Sequence, residues 1–216
     1  NNGSGVRGDM KAVIKAVLMD PEARMTPTLN STAGKLREPI VRFVHWMRAF
    51  NARSTDGRFL LGTVSDPATQ LAQTPMYAPS VFNFFRPGYT PPNSRVGGLG
   101  LVAPEAQITH ETSVAGYLNY MRTALTSGVG TRTNGVLDIQ PDYTAELALA
   151  ANPDLLVDRV NLLLTGGILS ANSRALIRNA VATVNIGTSN PDADRRNRVN
   201  LAIYLTMASP EYIFQY

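Results

Sequence analysis

Apolar residues recur along most of this chain at the three- and four-residue spacing of amphipathic helices. The first such stripe follows Asp9, a favoured N-cap: Met10, Val13, Ile14, Val17 and Leu18 share one face until Asp20-Pro21 stops it. Residues 25 to 34, rich in Thr, Pro, Ser, Asn and Gly, read as a loop. A second helix is predicted beyond it, with Leu36, Ile40, Phe43, Val44, Met47 and Phe50 on the buried side and Arg37, Arg42 and Arg48 on the other face. Asp66 to Gln73 suggests a short helix. A long one is predicted from near Pro104 through Tyr117, Tyr120, Met121 and Leu125, ending before Gly128.

Three further helices carry clear punctuation. Asn152-Pro153 opens one that Gly166-Gly167 closes, Ser170 caps the next, and Asn190-Pro191 leads into the last. The last is apolar around most of its circumference over Val199, Leu201, Ala202, Ile203, Leu205 and Met207, and belongs in a core. No alternating run is long enough to predict a sheet. Leu18-Met19-Asp20-Pro21-Glu22 is echoed by Met207-Ala208-Ser209-Pro210-Glu211, each at the end of an apolar helix, because Pro after Asp or Ser ends one helix and can begin another turn. The expected fold class is therefore mainly α: an irregular multi-helix bundle with long Pro/Gly/aromatic loops, in one helical domain over residues 1 to 216.

One segment breaks the helical pattern. Pro75, Pro79, Pro87, Pro91 and Pro92 punctuate Tyr77, Phe82, Phe84, Phe85 and Tyr89, and Gly97, Gly98 and Gly100 extend the irregular stretch. Such spacing excludes a long helix or a central strand. Aromatics held by prolines can plug a helical core, the reading favoured here, or form a stacking platform for sugars or a partner's segment.

Composition narrows the chemistry. The 216 residues suffice for a core that removes about 70% of the unfolded chain's surface from water. The absence of cysteine removes disulfides, thiolate metal sites and a cysteine nucleophile. Twenty Lys and Arg against sixteen Asp and Glu leave a charge of +4, and the basic residues are scattered, so nucleic acid is not implied. The densest run, Arg195, Arg196 and Arg198, follows Asp192 and Asp194 and reads as a solvated helix start. No stretch approaches the roughly 20 apolar residues needed to span a bilayer.

Candidate motifs are weak. Gly3-Ser4-Gly5-Val6-Arg7-Gly8 spells a dinucleotide fingerprint without the strand it requires, and Arg7-Gly8-Asp9 is an adhesive tripeptide in which Asp9 already serves as a cap. His110-Glu111 has Val114 where a zinc helix needs its second histidine, and His45 beside Trp46 reads as a packed, hydrogen-bonded histidine. No metal site and no cofactor are predicted, and no catalytic residue is assigned. Glu105, His110 and Glu111 could supply acid and base groups, although carboxylates in a first helical turn are favoured by the helix dipole anyway. Together with Phe82, Phe84, Phe85, Arg86 and Tyr89 they form the candidate ligand or partner surface.

Several strings resemble a known family. Arg7-Gly8-Asp9-Met10-Lys11-Ala12-Val13, Lys35-Leu36-Arg37-Glu38-Pro39, Pro79-Ser80-Val81-Phe82-Asn83-Phe84-Phe85-Arg86-Pro87-Gly88-Tyr89, Ala103-Pro104-Glu105-Ala106-Gln107-Ile108-Thr109 and Ser209-Pro210-Glu211-Tyr212 are similar to the later, C-terminal portion of the bacterial proteins catalogued as domain of unknown function 1800. The resemblance implies a longer, exported protein of the periplasm, cell envelope or medium, encoded beside a sulfatase-like protein that could be its partner. It carries over no catalytic residues. The functional expectation is a helical binding or assembly module of an exported bacterial protein; the alternative is part of a hydrolase acting on an envelope or extracellular polymer, its site shared with an N-terminal region.

Overall fold

The computed structural model describes residues 2 to 24 and 34 to 215. The described residues fall into two compact units, one up to Gly34 and one over residues 35 to 215. The fold is mainly α with small antiparallel sheets.

In the first unit Asp9 caps α1 (Met10–Met19) by accepting from the Lys11 and Ala12 amides, and Asn2 Nδ2 donates to the same carboxylate at 2.9 Å. Those hydrogen bonds, Asn2 foremost, hold the Asp9 carboxyl below its ordinary value. The short α2 (Pro21–Arg24) follows at once. The loop expected from 25 to 34 lies, except for Gly34, outside the described residues.

The second unit runs β1 (Lys35–Leu36), α3 (Pro39–Ala49), β2 (Arg53–Ser54), the proline-rich segment with α4 (Arg95–Gly98), a 3-10 turn (Pro104–Ile108), and α5 (Glu111–Ser127). It continues with β3 (Val129–Thr133), β4 (Val136–Gln140), α6 (Thr144–Leu149), α7 (Pro153–Thr165), α8 (Ala171–Ala182), α9 (Pro191–Met207), α10 (Pro210–Ile213) and β5 (Phe214–Gln215). The side chains of Asn152, Ser170 and Asn190 accept from first-turn amides of α7, α8 and α9, and Gly166 ends α7 in the left-handed conformation. The echo between Asp20-Pro21 and Ser209-Pro210 is structural: in both places the proline opens a new short helix.

The core gathers Phe43, Trp46 and Phe50 beside α3, Tyr117, Met121 and Leu125 of α5, Leu156, Val160 and Leu164 of α7, Ile177 and Val181 of α8, and Val199, Ile203 and Met207 of α9. Trp46 Nε1 donates to the Tyr143 hydroxyl at 3.0 Å, satisfying the one polar atom of the largest core side chain.

The structure corrects five expectations. A three-stranded antiparallel sheet, in the order β2-β4-β3, stands where none was predicted; its hairpin turns on Asn134-Gly135, both at positive φ, the geometry a two-residue hairpin turn demands. β1 pairs with β5, so Leu36 belongs to a strand and α3 begins only at Pro39. The helix expected from Pro104 is interrupted: a 3-10 turn ends at Ile108, and α5 restarts behind its own cap, His110. Asp66 to Gln73 makes a turn, in which Asp66 accepts from the Ala68 amide and the Thr69 hydroxyl. On α3, Val44 is exposed and Arg42 is buried, the reverse of the expected faces. Of the basic run, Arg195 pairs with Asp192, whereas Arg198 donates to the carbonyls of Val184, Ala150 and Ala151 and ties the middle of α9 to the segments that follow α8 and α6.

Candidate functional site

The aromatic segment is built from turns. Asn83 N donates to Ser80 O at 3.1 Å, with Asn83 at φ 67, a conformation asparagine tolerates better than most residues. Tyr89 N donates to Arg86 O at 3.0 Å across a turn with Pro87 in its second position, where the ring's fixed φ fits. Polar bonds then moor the segment to the stretch before α5: Arg86 N to Gln107 Oε1 at 2.7 Å, Ala103 N to Tyr89 O at 2.9 Å, and Thr90 Oγ1 to Leu101 O at 3.1 Å.

This mooring leaves the side chains outside. Met76 is 98% exposed, Val81 95%, Phe82 65% and Tyr77 64%, while Phe84, Phe85 and Tyr89 are half-buried. The segment is therefore a surface and not the core plug favoured from sequence. Exposed apolar residues scattered singly are ordinary on a protein surface, whereas here several follow one another on one loop held by backbone hydrogen bonds.

The expected acid and base groups are placed by local structure. Glu105 stands half-buried in the first turn of the 3-10 segment, and Glu111 is exposed in the first turn of α5. His110 is the α5 cap: its Nδ1 accepts from Ser113 N at 3.4 Å, while Ser113 Oγ accepts from His110 N at 2.9 Å. Among the described residues, no hydrogen bond or ion pair links Glu105, His110, Glu111 and the exposed Arg86 side chain. No group of three or more His, Asp or Glu that could hold a metal occurs among the described residues.

A second cluster escaped the sequence reading. Pro39, Arg42, Phe43 and Trp46 form the i, i+3, i+4, i+7 stripe that α3 buries, so the arginine occupies a core position. Arg42 is only 5% exposed, and its guanidinium lies over the Tyr117 ring at 4.0 Å. Among the described residues neither Arg42 Nε nor the Tyr117 hydroxyl has a hydrogen-bond partner, and none of the ion pairs within residues 35 to 215 involves Arg42. Burial raises the Tyr117 pKa to about 12 against the opposing pull of Arg42, so the phenol remains a donor at any ordinary pH. A cation–π contact contributes about 2 kcal/mol when desolvated, whereas burying a charge costs several.

Beside this pair, Arg37 lies over the Tyr212 ring at 5.1 Å, His45 stacks on the same Tyr212 ring with centroids 5.6 Å apart and planes 21° apart, and the Tyr212 hydroxyl donates to Arg42 O at 2.5 Å. His45 is half-buried and bonded at both ring nitrogens: Arg37 Nη1 is 3.1 Å from Nδ1, and Nε2 is 3.2 Å from Leu163 O. A guanidinium only donates and a carbonyl only accepts, so the ring is the neutral tautomer with its proton on Nε2. Burial first, then the Arg37 charge, pushes its pKa below the ordinary imidazole value.

That depression has a measurable sign. The unfolded chain takes up the imidazole proton at a higher pH than the folded one, so the His45 contribution is complete above the ordinary imidazole range and is lost as pH falls through it. Denaturation midpoints measured from pH 7 to about pH 5 are expected to fall more steeply for the native chain than for His45→Gln. Parallel curves would remove His45 as the source.

A cavity of about 110 Å³ opens between α3, α5 and the end of α9 with α10, and Arg42, Tyr117, Thr109 and Ser113 supply its polar lining. A family model described as a protein of unknown function, DUF1800, matches residues 2 to 214. The chain belongs to that family. No curated protein and no solved structure matches it. The match takes in both features of this DUF1800 chain, the aromatic surface and the Arg42 cavity. No helix among its described residues is long and apolar enough to cross a membrane.

Proposed function

We propose that this DUF1800 chain is a helical binding or assembly module of an exported bacterial protein, and that it docks a protein partner through the Met76–Tyr89 surface. One observation carries the reading: a turn-built segment, fixed by backbone hydrogen bonds, holds Met76, Tyr77, Val81 and Phe82 in solvent. An ordered apolar surface loses little conformational freedom on docking, which favours affinity.

Charge defines the partner's chemistry. No acidic residue occurs between Asp66 and Glu105, while Arg86 and Arg95 do, so the surface suits an apolar patch rimmed by carboxylates. The resemblance to exported family members supports the cellular setting and makes the sulfatase-like protein encoded beside them the first candidate.

The test is co-purification from the native bacterium with the full-length protein and its Val81→Ser/Phe82→Ser variant. One protein at near-equal stoichiometry is expected with the unaltered chain, and about tenfold less with the variant, a loss of roughly 1.4 kcal/mol. Both side chains are exposed, so the unfolding midpoint should not move. Equal recovery with both forms, or no partner with either, would count against the surface.

A further inference from the structure

We infer that Met76 is a site of reversible oxidation, at which a hydroperoxide makes the sulfoxide and so turns off the docking proposed for the Met76–Tyr89 surface, a role that rests on that reading. Thr74-Pro75-Met76-Tyr77 is a tight turn: Tyr77 N donates to Thr74 O at 3.1 Å, Pro75 fills the second position, and Met76 fills the third at φ 65. That is the pattern of a type II turn, whose third position favours glycine or asparagine because it demands positive φ. The turn is rooted in buried residues, since Thr74 Oγ1 accepts from Val64 N at 2.7 Å and Gln73 Oε1 from Ile40 N at 3.2 Å.

Methionine there carries a backbone strain that no packing of its side chain offsets, because that side chain is 98% exposed. Strain of this kind clusters at ligand clamps and switch regions, where the surrounding structure holds it. A flexible, polarizable thioether also suits an adaptable apolar contact with a partner.

The same exposure opens the sulfur to oxidants. Met121 and Met207 are each 1% exposed and Met47 is half-buried, while Met10 and Met19 on α1 are 63% and 53% exposed. Among the described methionines Met76 is therefore the most accessible. A sulfur lone pair attacks the terminal oxygen of the hydroperoxide, and the S–O bond forms as the O–O bond breaks. The proton of the transferred hydroxyl passes to the departing hydroxide or alkoxide, leaving a sulfoxide and water or an alcohol; sulfur gives up two electrons and the peroxide takes them. The product is polar and chiral where the thioether was apolar, so it no longer matches an apolar patch, and a sulfoxide reductase restores the thioether.

The full-length protein, treated briefly with hydrogen peroxide, freed of it and returned to an extract of the native bacterium, tests the switch. Peptide mass spectrometry should find sulfoxide at Met76 forming at least about tenfold faster than at Met47, Met121 or Met207, with the urea unfolding midpoint unmoved. Oxidised protein should recover about tenfold less partner than untreated protein. Met76→Gln, a polar chain of similar length, should show the same loss without treatment, whereas Met76→Leu should bind as the native chain does and keep its partner after treatment. Sulfoxide forming no faster at Met76 than at Met121, undiminished recovery once Met76 is oxidised, or equal loss in treated Met76→Leu would overturn the switch and leave the docking surface standing. No partner on the untreated protein would overturn both.

Discussion

Trp46→Ala is expected to destabilise the protein by about 3–5 kcal/mol, the usual cost of removing a large aromatic from a well-packed core. Trp46 is fully buried, contacts Phe43 with ring centroids 5.6 Å apart, and hydrogen-bonds the Tyr143 hydroxyl at 3.0 Å. Truncation opens a cavity and also strands that hydroxyl on a residue that is itself buried. Since domains are stable by only about 5–15 kcal/mol, a large part of the total is at stake. Trp46→Phe retains much of the ring packing and loses the donor, so its cost should be clearly smaller. Urea denaturation of the three proteins gives the order; a Trp46→Ala midpoint near that of the native chain would refute this packing account.

The second large effect reverses what helix propensity alone predicts. Gly116 lies inside α5, where exchange for alanine ordinarily stabilises a helix by about 1 kcal/mol. Here the helix passes directly over the Pro67–Ala68 backbone. An added Cβ would collide with the Pro67 carbonyl oxygen and lie 2.9 Å from the Ala68 carbonyl carbon. Backbone cannot rotate aside as a side chain can, and overpacking costs about 1–3 kcal/mol, so the clash outweighs the propensity gain. Gly116→Ala should therefore lower the denaturation midpoint; a raised midpoint would show that the Asp66 turn yields freely.

The helices were legible in the sequence because their signals are local. Asp9, Asn152, Ser170 and Asn190 each bond an amide within their own first turn, and Gly166 ends α7 through its own backbone. The hairpin was equally local, since Asn134-Gly135 is a strong turn signal, but the strands flanking it, Val129–Thr133 and Val136–Gln140, lack a long apolar alternation. The break before α5 was hidden by Pro104, a good helix opener, when the decisive feature was the His110–Ser113 capping pair.

Long-range packing was less accessible. Periodicity put the charged Arg42 on the polar face, although its spacing from Pro39, Phe43 and Trp46 marks the buried stripe; the Tyr117 ring 4.0 Å away, distant in sequence, completes that environment. The aromatic segment posed the opposite problem. Phe82 and Tyr77 have the composition of a core, and only the mooring of residues 86 to 90 to residues 101 to 107 shows that they face outward. Thus the sequence singled out a surface segment without its exposure, and missed the cavity because Arg42 and Tyr117, which line it, lie far apart in the chain.

The docking claim is tested most directly by a photo-crosslinking amino acid at position 82 of the full-length protein, irradiated in living cells of the native bacterium. With Phe82 projecting from an ordered surface, the predicted result is one discrete product joining the chain to a different protein, diminished when Val81 is changed to Ser. A product confined to the chain itself, or no product at all from a stably folded protein, would contradict the proposal that this surface binds a partner.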